Sequence, residues 1–94
     1  MPTPVLDKQT TVKNKRKYHP KYKVILHNDD VNDFQHVMNS LQKVVGLDQQ
    51  NAYNIMMIAH SSGKAVVIIC EKEHAEHYRQ GLLDQGLTAT MEQE

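Results

Sequence analysis

The chain has 94 residues, 39% of them hydrophobic and 23% charged, with eleven basic residues, eleven acidic residues and one cysteine. This length allows one domain, and the longest apolar run, residues 65–70, is far shorter than the roughly 20 residues that span a bilayer. A lone cysteine excludes an internal disulfide, and no apolar segment follows the first basic residues, which argues against a secretory signal. We therefore expect a soluble, cytoplasmic protein with no membrane partner.

Basic side chains are concentrated at the start of the chain. Residues 1–23 carry seven basic residues and one acidic residue, whereas residues 24–94 carry four and ten. The first segment also has all three prolines and no hydrophobic period. We therefore expect residues 1–20 to form a flexible basic extension and residues 21–94 to form the folded domain. Basic arms of this kind can bind nucleic acid or an acidic partner, so composition leaves both open.

A strand followed by a helix is predicted after Pro20. Residues 22–27 are mostly β-branched or apolar and stop at a polar run, which is typical of a strand that enters a loop. Asn32 or Asp33 can then cap a helix in which apolar residues recur every three or four positions until Gly46.

A second predicted helix begins at Asp48, reaches His60 and ends at Gly63. Apolar residues at helical spacing define one buried face, and Met57 and Ile58 add a second apolar side. The pattern therefore predicts a helix that is covered on two flanks.

The last third of the chain predicts a strand, a helix and a strand. Residues 64–70 are β-branched and apolar, which favours a buried strand with a buried thiol at Cys70. Residues 73–85 favour a helix, and residues 87–91 alternate as a strand after Gly86. The order β-α-α-β-α-β predicts an α+β fold with a small sheet and helices on one side.

Two polar clusters are candidates for a site. Residues 28–30, Asn-Asp-Asp, follow the first strand, and His60 ends the second helix. The ordinary explanations are a turn with a helix cap and an exposed histidine. The serines at 61–62 lie outside any nucleophile-elbow motif. His74 and His77 have a spacing that metal ligands use, but no convincing third and fourth ligand follows. We expect no catalytic residue, no metal site and no cofactor.

Two segments together resemble the ClpS adaptor family. YKVILHNDD at residues 22–30, followed by FQHV at residues 34–37, is similar to the opening of that family. NIMMIAHSSGKA at residues 54–65 is similar to its second helix and His-x-x-Gly-Lys turn. The resemblance covers about residues 21–92, and His27 with a shortened last helix is typical of the cyanobacterial and plastid branch.

The resemblance implies an adaptor of the N-degron (N-end rule) pathway and not an enzyme. Such an adaptor binds substrate proteins that begin with Phe, Leu, Tyr or Trp and delivers them to a Clp AAA+ unfoldase, ClpA or ClpC, for degradation by ClpP. The implied fold is a β-α-α-β-α-β sandwich with a three-stranded antiparallel sheet, related to the C-terminal domain of the ribosomal stalk protein. The implied partners are proteins rather than nucleic acid, and the chain is expected to be a monomer. The basic extension would help delivery to the unfoldase.

The resemblance also implies site residues. The α-amino group of the substrate would be bound by Asn28, Asp29, Asp30 and His60. The N-terminal side chain would enter a pocket formed by Asn32, Phe34, Val37, Met56, Ala59 and Leu87, although helical spacing explains the apolar members equally well as core. The unfoldase would contact Glu73 and Tyr78.

The residue types suit this chemistry, with some departures from the family pattern. An α-ammonium has three donors and one positive charge, so it requires acceptors with net negative charge. Phe34 stands where many members carry Met, Ala59 where many carry Val, and Tyr78 where Lys is usual. Val31 replaces an aromatic residue and Asp33 replaces a proline.

Two other hypotheses remain open on the sequence. A ribosome-associated or nucleic-acid-binding domain would use the basic extension, and its affinity would fall steeply with salt. A hydrolase or metalloenzyme would use His60 or the pair His74 and His77.

Overall fold

Three strands and three helices follow one another in the order β-α-α-β-α-β in the computed structural model, which describes residues 19–94. The strands are β1 (Lys21–His27), β2 (Lys64–Glu71) and β3 (Thr88–Gln93), and the helices are α1 (Phe34–Val45), α2 (Gln49–Ser62) and α3 (Lys72–Asp84). This order confirms the expected α+β class. The expected basic extension, residues 1–20, lies outside the described residues except for its last two.

The sheet has the order β2-β1-β3, with β1 in the centre and antiparallel to both neighbours. Leu26 pairs with Ala65 on β2 and with Ala89 on β3. The strands are antiparallel, so the end of β1 lies beside the start of β2 and the start of β3. The polar run that follows β1 is thereby placed next to the end of α2 and the turn after α3.

The helices cover one face of the sheet and form the core with it. Each helix contributes a fully buried side chain, and so does β1; these residues are Leu41, Ala52, Leu82 and Val24. Burial of a side chain of Leu size stabilises a fold by about 1.5–3 kcal/mol. Helices α1 and α3 approach closely at Gly81, where an added Cβ would lie 2.6 Å from Val44 Cγ1.

The helix ends follow local capping chemistry. The side chain of Asp33 accepts the amide of His36 at 2.8 Å, so Asp33, rather than Asn32, caps α1. Helices α1 and α2 end at left-handed glycines, Gly46 with φ of 84° and Gly63 with φ of 94°. Only glycine adopts this conformation without a steric cost from Cβ.

Two expectations about burial were wrong. Strand β2 is buried on one face only, since Val66 and Ile69 are each 45% exposed. Cys70, which was expected to be buried, is half-buried. Helix α2 is likewise buried on one face, with Ile58 50% exposed. In the part of the chain that the structure describes, no second layer lies over the open face of the sheet or over the outer side of α2. Within residues 19–94, no helix is long and apolar enough to cross a membrane.

Candidate functional site

A cavity of about 220 Å³ opens where the end of β1, the end of α2 and the turn after α3 meet. All ten residues predicted for the two halves of the substrate site line it: Asn28, Asp29, Asp30, Asn32, Phe34, Val37, Met56, Ala59, His60 and Leu87. The structure therefore brings the ten residues together at one place, while their roles stay predictions.

The polar end of the cavity depends on Gly63. The Asn28 backbone N–H donates to the Gly63 carbonyl at 2.9 Å, and Gly63 follows three residues after His60. One backbone hydrogen bond thus joins the loop that carries Asn28 to the helix end that carries His60. The His60 ring also makes an edge contact with Phe34, with ring centroids 4.9 Å apart and planes at 75°.

Asp29 is the most strongly hydrogen-bonded side chain of the loop. Its Oδ1 accepts the backbone N–H of Val31 at 3.1 Å and that of Asn32 at 3.0 Å. The Asn32 Nδ2 donates to both carboxylate oxygens, at 3.2 and 3.1 Å. Partial burial acts to raise the pKa of Asp29, but the hydrogen bonds, led by those from Asn32, outweigh it, so the pKa is lowered. Asp29 is thus held as a carboxylate in a fixed orientation.

Asn28 and Asp30 are exposed at the same end of the cavity. An amide oxygen, a carboxylate and an imidazole nitrogen can each accept a hydrogen bond from a cationic donor. Since the loop carries fixed negative charge at Asp29, this end of the cavity is suited to a cation that donates hydrogen bonds.

The other end of the cavity is apolar. Met56, Ala59 and Leu87 are each less than 5% exposed, so their side chains form walls backed by the core. Phe34 is 46% exposed and lies at the mouth. An apolar group that entered this end would gain about 25 cal/mol for each Å² of apolar surface removed from water.

Glu73 and Tyr78 lie on α3, outside the cavity lining. Glu73 is exposed in the first turn, whereas Tyr78 is half-buried and packs against the core. The structure therefore separates these two positions from the ten cavity residues.

Sequence reasoning missed two cavity residues, Leu26 and His27. Both immediately precede Asn28, and this proximity was the only available signal. It also missed His36, whose Nε2 lies 2.7 Å from the Gln85 carbonyl. No sequence signal marks that contact, because the two residues are 49 positions apart.

The fold and the cavity define a small α+β binding domain with one polar and one apolar end to its pocket. The family model described as "ATP-dependent Clp protease adaptor protein ClpS" matches residues 17–90. The chain belongs to the ClpS family, as the motifs predicted. This membership gives it a Clp protease adaptor function, which agrees with the expectation that it is not an enzyme, and it does not favour the nucleic-acid alternative.

Relatives from cyanobacteria and plastids agree with the predicted branch. The ClpS adapter of Synechococcus sp. (strain CC9902) is 46% identical over 80 residues, which are 84% of this chain and 77% of the relative. The chloroplastic adapter CLPS1 of Arabidopsis thaliana is 40% identical over 91 residues, 96% of this chain and 57% of the relative.

A solved structure is also similar. Agrobacterium tumefaciens ClpS2 bound to L-phenylalaninamide has a TM-score of 0.79 and 34% identity, and the match covers 82% of this chain and all of that one (100%). The likeness confirms the α+β ClpS fold.

Proposed function

We propose that this chain is an N-degron adaptor, which binds the free α-amino group and the hydrophobic first side chain of a substrate protein and delivers it to a Clp unfoldase. The observation that supports this most strongly is that one and the same cavity has acceptors at one end and apolar walls at the other. Adaptor function at the family level supports the delivery step. L-Phenylalaninamide, which the related ClpS2 binds, combines an α-amino group with an aromatic side chain.

Asn28, Asp29, Asp30 and His60 bind the α-ammonium group in this proposal. A hydrogen bond to a charged group contributes about 1.5–3 kcal/mol. Acetylation of the amine removes the charge and leaves the Asp29 carboxylate without a cation. The resulting loss should be at least tenfold, about 1.4 kcal/mol.

Met56, Ala59 and Leu87 form the walls that receive Phe, Leu, Tyr or Trp, with Asn32, Phe34 and Val37 around them. Phe34 in place of Met enlarges the side chain at the mouth, whereas Ala59 in place of Val leaves more room at the wall. The order of preference among the four side chains is therefore a property of this chain to be measured.

The decisive experiment is fluorescence anisotropy with labelled peptides that begin with Phe, Leu, Tyr, Trp or Arg, each with a free or an acetylated amine. We expect the free-amine hydrophobic peptides to bind at least tenfold more tightly than their acetylated counterparts. Equal binding of both forms would refute the proposed function. The double variant Asp29→Ala/Asp30→Ala and the variant His60→Ala should each lose the preference, and wild-type behaviour would refute the site assignment.

Glu73 and Tyr78, five residues further along α3, contact the unfoldase in this proposal. Asp84 is the last residue of α3, just before the turn that leads to Leu87 in the cavity wall. Glu73 lies eleven residues before Asp84, about 16 Å along the helix axis. A substrate in the cavity and an unfoldase at Glu73 can therefore be bound together. Glu73→Lys should weaken binding to ClpA or ClpC in a pull-down. Glu76→Lys, an identical charge change at another exposed position of α3, should not, and equal loss in both would contradict the assignment.

The remaining expectations belong to the same proposal. We assign residues 1–20 to an extension that assists delivery, so removal of residues 1–18 should leave peptide affinity unchanged and slow degradation of a model substrate. We further expect a cytoplasmic monomer that does not bind nucleic acid. Sedimentation tests the monomer, and a salt titration with labelled RNA tests the last point.

A further inference from the structure

The turn that precedes Leu87 is held from two sides. Within the turn, Gly86 N–H donates to Leu83 O at 2.9 Å and Leu87 N–H donates to Leu82 O at 3.1 Å. This is the pair of bonds that closes a helix in a Schellman motif, with the required left-handed glycine at Gly86, whose φ is 85°. The amides of the turn are therefore satisfied by α3 itself.

The carbonyls of Gln85 and Gly86, in the same turn, accept from two side chains at the start of α1. Asn32 Nδ2 donates to Gly86 O at 2.9 Å, and His36 Nε2 lies 2.7 Å from Gln85 O. A carbonyl only accepts, so His36 carries its proton on Nε2. We call these two bonds the carbonyl clamp.

We propose that the carbonyl clamp is a specificity-positioning device: Asn32 and His36 fix the turn before Leu87 and thereby set the width of the side-chain pocket. This inference rests on the proposed function, since it concerns the same pocket. Leu87 is only 4% exposed and directly follows the clamped carbonyls. A shift of the turn would move this wall towards or away from the bound side chain.

Asn32 also connects the two ends of the cavity. Its Nδ2 contacts both oxygens of Asp29 and the carbonyl of Gly86. His36 contacts only the turn by its ring nitrogen and is outside the cavity lining. The two members of the clamp therefore differ in a testable way: loss of Asn32 affects both the ammonium end and the apolar end, and loss of His36 affects the apolar end alone.

The test uses two affinity ratios for the full chain. Side-chain selectivity is the ratio of Kd for an Ala-initiated peptide to Kd for a Phe-initiated peptide, both with free amines. Amine selectivity is the ratio of Kd for the acetylated Phe peptide to Kd for the free Phe peptide. His36→Ala should lower side-chain selectivity by about three- to tenfold, which is the change in affinity expected from the loss of one hydrogen bond. It should leave amine selectivity within about twofold of the wild-type value. Asn32→Ala should lower both ratios.

Two further variants separate positioning from folding. His36→Gln keeps an amide donor of similar reach and should restore most of the side-chain selectivity. Gln35→Ala is the control on the same helix, since Gln35 is exposed and bonds only to Asn39 by its side-chain amide. It should leave both ratios unchanged.

Methyl NMR of Leu87 in the ligand-free protein gives a readout that needs no peptide. The Leu87 resonances should shift in His36→Ala and return towards wild type in His36→Gln. Unchanged Leu87 resonances, or an equal loss of both selectivities in His36→Ala, would overturn the carbonyl clamp. If the wild type shows no amine selectivity, the proposed function fails, and the Leu87 resonances alone decide whether the clamp positions the turn.

Discussion

Replacement of Gly63 by alanine should damage stability and binding together, because this residue both ends α2 and anchors the loop of the candidate site. Its φ of 94° is a conformation that costs an L-residue about 1–2 kcal/mol. No heavy atom of residues 19–94 lies within 4 Å of the Cβ that Gly63→Ala would add, so the expected cost arises from the backbone. We expect the free energy of unfolding to fall by about 1–2 kcal/mol and the midpoint of thermal unfolding by about 4–16 °C.

Gly46→Ala is the matched control for this change. Gly46 ends α1 with φ of 84°, and in the described part of the chain no atom lies within 4 Å of the added Cβ. It lies outside the cavity lining. Calorimetry should give similar losses of stability for both variants. Peptide affinity should fall by up to about fivefold only in Gly63→Ala, since the hydrogen bond from Asn28 to the Gly63 carbonyl contributes about 1 kcal/mol. Equal affinities in the two variants, or no loss of stability in Gly63→Ala, would refute this reasoning.

Three other predictions concern packing and ionisation. Gly81→Ala should lower the free energy of unfolding by about 1–2 kcal/mol in urea titrations, because the added Cβ would overlap Val44. This steric cost exceeds the stability gained from the better helix propensity of alanine. The double variant Gly81→Ala/Val44→Ala should relieve the overlap. The lowered pKa of Asp29 means that its contribution to stability is present above the pKa of the unfolded chain and is lost as the pH falls through the folded value. NMR titration should show that Asn32→Ala raises this pKa, and an unchanged value would contradict the role of the hydrogen bonds. Burial raises the pKa of Cys70, so its thiol should react with a disulfide reagent at pH 7 more slowly in the folded than in the urea-unfolded chain.

The element order could be predicted from the sequence because each element carries its own local signal. Apolar spacing and the left-handed glycines marked the ends of α1 and α2, and alternation marked β3. The resemblance to the ClpS family then identified the cavity residues. From the residue types alone, the same positions predicted only a turn and an exposed histidine. The correct element predictions share one cause: each element's signals lie within a few residues of each other along the chain.

The burial of individual strand faces and the long-range contacts could not be predicted in the same way. An apolar run such as Val66 to Ile69 has the same residue pattern whether its strand is covered on both faces or has one face open to water. The bond between Asn32 and Gly86 joins residues 54 positions apart. Its partners are common polar groups with no distinctive spacing, so only the folded arrangement identifies it.

Helix α3 fixes the spacing between the turn before Leu87 and the exposed carboxylate at Glu73. An inserted residue in the middle of this helix would rotate Glu73 by about 100° around the axis, away from its present direction. An insertion of four residues, close to one turn, would bring Glu73 back to within about 40° of that direction and lengthen the helix by about 6 Å. Redesign of the distance between the pocket and the proposed unfoldase contact at Glu73 therefore has to proceed in steps of about one helical turn.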